Sequence, residues 1–328
     1  MKKTLLLVAA VALAIGAGPA MAQKKTLAVV VKGLDNPFFT VLGNGCKKWN
    51  DENKDSEYEC LYTGPALSSD EAGEVQLVED LINKGVAGIA ISPSNAPAMA
   101  NMLKAKAPKM PIMTIDADLS AADRALRSTY LGTDNYQMGV KMAGHLKGLA
   151  AKGGTVCLQL GNVAADNINA RAAGFRDTIS GKKGIERLNG EDGWTEIAGC
   201  PTYTNDDIAT ANQQLSDVTT ANPKLNAFIL IGGWAQFGPE AYAATTKQLE
   251  PKLKSGELVI LAGDTLPPQM DALKAGHSLA QIGQRPFEMG YRAPTVLIDL
   301  INGKKVDDPL YTGLDECTPE TADTCLAK

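Results

Sequence analysis

Histidine is almost missing from this chain, with His145 and His277 the only two. His145 falls on an apparent helix and His277 in a turn, and no Ser/His/Asp spacing that would build a nucleophilic triad is present. No C-x-x-C pair or Cys/His cluster has metal-ligand spacing. The first strand-to-helix turn lacks G-x-G-x-x-G, which argues against a bound dinucleotide. Basic residues are not in excess: 32 Lys and Arg face 37 Asp and Glu, a formal net charge of −5. No basic stripe is visible, so neither nucleic acid nor an anionic membrane surface is an expected partner. Only one long apolar run occurs, Leu5 to Ile15, and it is too short to cross a bilayer.

That run is part of a secretory leader. Lys2 and Lys3 form the positive segment, and Pro19-Ala20-Met21-Ala22 supplies a small-residue cleavage site, with the cut expected after Ala22. No cysteine lies near it, so no lipid anchor is expected. Without Lys2 and Lys3 the balance becomes 30 basic against 37 acidic residues. The 328 residues suggest about two domains.

The mature chain opens on Leu27 to Phe39. Leu27, Val29, Val30 and Val31 form a run of β-formers without polar alternation, the mark of a strand buried on both faces. Asp35-Asn36-Pro37 then signals a helix start, with Asn36 as cap and Pro37 at the first helical position. Phe38 and Phe39 follow. In one reading Asn36 and the two rings hold a polyhydroxylated ligand. In the other Asn36 only caps and both rings are core.

Strand and helix alternate to the end of the chain. Strands are expected at 58–62, 86–91, 111–115, 128–131, 155–160, 194–200, 227–231, 258–262 and 280–283, with helices between them and a last long helix over 287–301. Such alternation means parallel sheets covered by helices, α/β in class, and two runs of it mean two similar doubly wound lobes. Polar residues collect at the carboxyl ends of these strands: Asn36, Ser92 to Asn95, Asp116 and Asp118, Asn162, Trp234, Asp264 and Gln284. If the lobes face each other, all converge on one cleft.

Several segments together resemble the periplasmic sugar-binding proteins of the ribose/galactose type, the solute receptors of ABC importers. They are Asp35-Asn36-Pro37-Phe38-Phe39, Ile112 to Asp116, Tyr130 to Asn135, Arg171-Ala172-Ala173-Gly174-Phe175 and Ile282 to Pro286, in order over essentially the whole mature chain. The resemblance implies two Rossmann-like lobes joined by a three-stranded hinge, the type I periplasmic binding fold. The lobes would comprise residues 23–132 plus 285–303, and 133–284 plus 304–328. Crossings are expected near 131–133, 284–285 and 303–306. It also implies a monomeric receptor that is no enzyme, needs no cofactor, holds a sugar or polyol and delivers it to a membrane permease. Position by position it assigns ligand contacts to Asn36, Phe38, Phe39, Asp116, Arg171, Asp264 and Gln284. Asn167, one helical turn before Arg171, shares its face, and Trp234 faces Phe38 across the ligand.

Three positions depart from ribose binders: Ala117 replaces an arginine, Gly232 an asparagine, and Asn205 aligns with an aromatic for which Tyr203 or Trp234 can substitute. The carboxylates Asp116 and Asp118 keep other readings open: a non-sugar signal, an amine-bearing sugar derivative, or acid/base chemistry. Asp118 is otherwise a solvated loop carboxylate. All six cysteines lie in the mature part, an even count that reads as disulfides outside the cytoplasm. Six allow fifteen pairings. Sequence proximity and the expected fold favour Cys46–Cys60, Cys157–Cys200 and Cys317–Cys325, with one reduced, buried pair as the alternative.

Overall fold

A computed structural model describes residues 23–326, so the expected leader and its cleavage site lie outside the described residues. The first lobe starts with β1 (Lys25–Val30), α1 (Pro37–Glu52), β2 (Tyr58–Thr63), α2 (Glu71–Lys84), β3 (Gly88–Ile91), α3 (Ala96–Lys106), β4 (Ile112–Ile115) and β5 (Tyr130–Thr133). From Leu27 onward β1 is buried, and its alternation feeds two cores. Leu27, Val29 and Val31 pack with Phe38, Leu42, Cys46 and Trp49 on one face. Ala28 and Val30 pack with Val78, Leu81, Met99 and Leu103 on the other.

The chain then enters the second lobe through α4 (Asn135–Leu149), β6 (Gly154–Leu160), α5 (Asp166–Ser180), β7 (Asn189–Glu191), β8 (Trp194–Glu196) and β9 (Thr202–Tyr203). It continues through α6 (Ile208–Ala221), β10 (Ala227–Leu230), α7 (Trp234–Phe237), α8 (Pro239–Ser255), β11 (Val259–Gly263), α9 (Pro267–Lys274) and β12 (Ala280–Gly283). It returns as α10 (Pro286–Ile301), which packs on α1, and ends with β13 (Leu310–Thr312) and β14 (Asp315–Cys317).

The first sheet has the order β13-β5-β4-β3-β1-β2 and is parallel throughout. The second runs β14-β12-β11-β10-β6-β8-β7, with β9 also on β6, and only its edge strands β7 and β14 are antiparallel. In each sheet the strand order reverses beside the lobe's first strand, β1 or β6. Such a switch point opens a crevice at the carboxyl edge. The expected pair of doubly wound lobes is the observed architecture.

Three differences have local causes. The strand expected over 194–200 stops at Glu196, because Gly199 (φ +80°) turns the chain and Cys200 N–H closes that turn on Ile197 C=O at 3.2 Å. Residues 304–312, expected in the second lobe, stay with the first, since β13 pairs with β5. The third crossing therefore falls at Gly313-Leu314 rather than near 303–306. There Arg285 of the second crossing bonds Asp315 at 2.8 Å and lies against Gly313, where a side chain would strike its guanidinium. The cysteines pair as 46–60, 157–200 and 317–325, with Cα separations of 5.8, 5.3 and 5.4 Å, and none is left reduced.

Candidate functional site

The carboxyl edges of the two sheets face each other across one cavity. All nine residues singled out from the sequence line it: Asn36, Phe38, Phe39 and Asp116 from the first lobe, Asn167, Arg171, Trp234 and Asp264 from the second, and Gln284 from the second crossing. In the first turn of α1 the capping and core roles are both seen, and the same residues also line the cavity. Asn36 Oδ1 caps the helix by accepting from Phe38 N–H at 2.9 Å, and the residue also lines the cavity. Phe38 and Phe39 belong to the core and meet edge to face at 5.3 Å, yet also form cavity wall.

Asp116 and Asp264 each stand one residue past a strand, in left-handed backbone with φ of +62° and +72°. Such conformations are costly for residues with a side chain and concentrate at functional sites. Asp116 accepts from Ser92 Oγ at 2.8 Å through one oxygen. Asp264 accepts from Gln284 Nε2 at 2.7 Å, also through one. Burial pushes the Asp264 carboxyl up, opposed by the nearby Arg171 charge and the Gln284 bond. Arg171 donates from Nε to Asn135 Oδ1 at 2.8 Å and from Nη1 to Ile231 C=O at 3.2 Å. Gln284 accepts from Thr133 Oγ1 at 2.8 Å. The hinge thus holds the orientation of the arginine and of the glutamine, through residues 133 and 135 that flank the first crossing.

Two charged residues of the cavity escaped the sequence reading, Lys32 at the end of β1 and Asp206 after β9. Their only signal was position, two residues beyond β1 and three beyond β9. Ile168 and Phe237 add apolar wall. The departure at Gly232 has a physical reason: a Cβ there would stand 2.6 Å from the Trp234 ring. A Cβ at Gly161 would also stand 2.6 Å from that ring, so two glycines make room for the indole.

Asp118 corrects an expectation. It is buried, not solvated, and faces away from this cavity. Arg127 clamps it with two bonds, Nε to Oδ1 at 2.9 Å and Nη2 to Oδ2 at 2.7 Å, and Thr114 Oγ1 donates at 2.6 Å. Both of its oxygens are thus engaged by Arg127 rather than turned to the cavity beside Asp116. His145 pairs with Glu316 on the surface, away from the cleft.

Several contacts cross the cleft. Lys32 approaches Asp206 at 3.8 Å, Arg124 approaches Asp166 at 3.7 Å, Ala96 N–H donates to Ala164 C=O at 3.3 Å, and Asn162 bonds Glu71. The lobes are therefore in a closed arrangement.

A family model described as a periplasmic binding protein domain matches residues 27–305. A ribose import binding protein of Salmonella typhimurium is 27% identical over 310 residues, which cover 93% of this chain and 95% of the relative. Among solved structures, an ABC transporter solute-binding protein from Burkholderia graminis in complex with D-arabinose is 27% identical, with a TM-score of 0.76, and the match covers 92% of this chain and 98% of that one. Another from Agrobacterium vitis, with bound D-fucose, shares the fold with a TM-score of 0.79 at 24% identity, covering 91% and 97%.

Proposed function

This chain belongs to the periplasmic binding protein domain family, and on that premise we propose that it is the sugar receptor of an ABC importer, holding a neutral monosaccharide or sugar alcohol between its lobes. The observation that carries the reading is the lining of the closed cavity. Asp116, Asp206 and Asp264 offer acceptors, Arg171 and Lys32 offer donors, and Asn36, Asn167 and Gln284 offer both. Hydroxyls donate and accept, so they satisfy such a mixed set without carrying charge. Phe38 and Trp234 cover the apolar faces of the ring or carbon chain. The relatives named above are described as binding ribose, D-arabinose and D-fucose, which supports this ligand class.

The cycle follows from the hinge. An open form admits the ligand, closure brings the second-lobe Arg171 and Asp264 onto it, and the closed form docks on a membrane permease. The leader directs the chain to the periplasm and is removed after Ala22. The mature protein works as a monomer without a cofactor and catalyses no reaction.

A thermal-shift screen of the purified protein against pentoses, hexoses, deoxy sugars, tetritols, pentitols and inositols tests the reading. At about a hundred times its dissociation constant, a ligand that binds only the folded state adds roughly 2.7 kcal/mol. The expected result is a clear hit that disappears in Asp116→Ala and Arg171→Ala. A folded protein that ignores every neutral sugar and polyol would overturn it.

A further inference from the structure

We infer that Lys32 and Asp206 together read one hydroxyl of the ligand and make the cavity selective for a neutral group at that point. The inference rests on the cavity being the sugar or polyol site proposed above. Lys32 comes from the first lobe and Asp206 from the second, and both are almost completely buried, at 2% and 4% exposure. Nζ and Oδ2 stand 3.8 Å apart, too far for a hydrogen bond. The other bond of Lys32, to Asn167 Oδ1, is long at 3.4 Å. Asp206 Oδ1 has no hydrogen-bond partner among the described residues. Gly161 keeps that oxygen clear, because a Cβ at 161 would collide with it.

A buried carboxylate oxygen without a partner is costly, and so is an ammonium short of acceptors. The ammonium only donates and the carboxylate only accepts. One hydroxyl between them completes both, taking a bond from Nζ and giving one to Oδ1, each charge-assisted. An acid group at that place meets Asp206, and an amine meets Lys32. The ligand hydroxyl also joins the two lobes, so recognition and closure are one event. Ala117 is buried and does not line the cavity. The second cation of the site thus comes from the segment after β1 rather than from the residue after Asp116.

Titration calorimetry tests the pair with D-ribose, D-arabinose, D-fucose and D-allose, followed by every monodeoxy form of the tightest binder. The wild type is compared with the neutral double variant, Lys32→Met with Asp206→Asn. At one carbon position, deoxygenation is expected to weaken wild-type binding on the order of 100-fold and to have little effect in the double variant. Asp206→Asn alone, which preserves side-chain shape, is expected to lower the penalty at the same position. Because each protein is compared with itself across ligands, a general loss of affinity does not mimic this result. If one sugar binds and its deoxy penalties are the same in wild type and variants, the inference falls and the proposed function stands. If no sugar or polyol of the screen binds, both fall.

Discussion

Gly232 shows how one residue shapes the cavity. A Cβ there would stand 2.6 Å from the buried Trp234 ring, which packs against Gly161 as well. Gly232→Ala is expected to push the indole into the ligand space. Overpacking of this kind costs about 1–3 kcal/mol, so a denaturant melt should show lower stability and calorimetry weaker binding. Unchanged binding would mean that the ring has another place to go.

Glu74 is a residue-scale effect of a different sort. It lies buried beneath the loop that carries Ser92 and Ser94. Ser94 N–H donates to its Oε2 at 2.9 Å, while Oε1 has no partner among the described residues. Burial pushes its carboxyl up to about 7, with the Ser94 bonds and Lys32 opposing. The unfolded chain titrates this group near 4.5. Between those values the folded form holds more protons, so stability falls as pH rises through the window and levels off above it. The full effect is at most about 3 kcal/mol. Glu74→Gln should therefore flatten the dependence and be more stable than wild type at pH 8, as read from urea midpoints between pH 5 and 8. Parallel profiles for the two proteins would remove Glu74 as the cause.

At the scale of elements, the lobes use the same device twice. Gly45 of α1 and Gly290 of α10 let those helices touch backbone to backbone, the first against Phe287 C=O and the second against Leu42 C=O. Gly139 of α4 and Gly174 of α5 do so in the second lobe, against Arg171 C=O and Tyr136 C=O. In both lobes one helix of the pair carries cavity residues in or near its first turns: Phe38 and Phe39 on α1, Asn167 and Arg171 on α5. Gly174→Ala should pry α5 from α4 and carry Arg171 off its bond with Asn135. The expected loss is about 1–3 kcal/mol of stability, with affinity falling more than in Gly290→Ala, which leaves α5 in place. Equal affinity losses in the two variants would contradict this.

At the scale of the whole molecule, closure is held partly outside the cavity. Asn162 bonds Glu71 across the cleft but touches no ligand space. Removing a bond to a charged group costs about 1.5–3 kcal/mol, here paid only by the closed form. Asn162→Ala is expected to weaken binding about tenfold, chiefly by faster release, without changing which ligand is preferred. Stopped-flow fluorescence, with Trp234 as the nearby reporter, would check the release rate. A slower association with unchanged release would place Asn162 in ligand entry instead.

The sequence alone determined the strand-helix alternation, the burial of β1 on two faces and the gathering of polar residues at strand ends. These are local properties: periodicity, caps and turn residues act over a few positions, and the topology of parallel sheets then brings the ends together. Asn36, Asp116 and Asp264 were visible for that reason. Tertiary structure alone decided what the charges face. Asp118 reads like Asp116 in sequence, and only the fold turns it toward Arg127. Lys32 reads as an ordinary strand-end cation until the second lobe sets Asp206 against it. The short edge strands β13 and β14 carry no period of their own, because pairing with β5 and β12 creates them. What a charge does depends on its neighbours in space, and those come from distant parts of the chain.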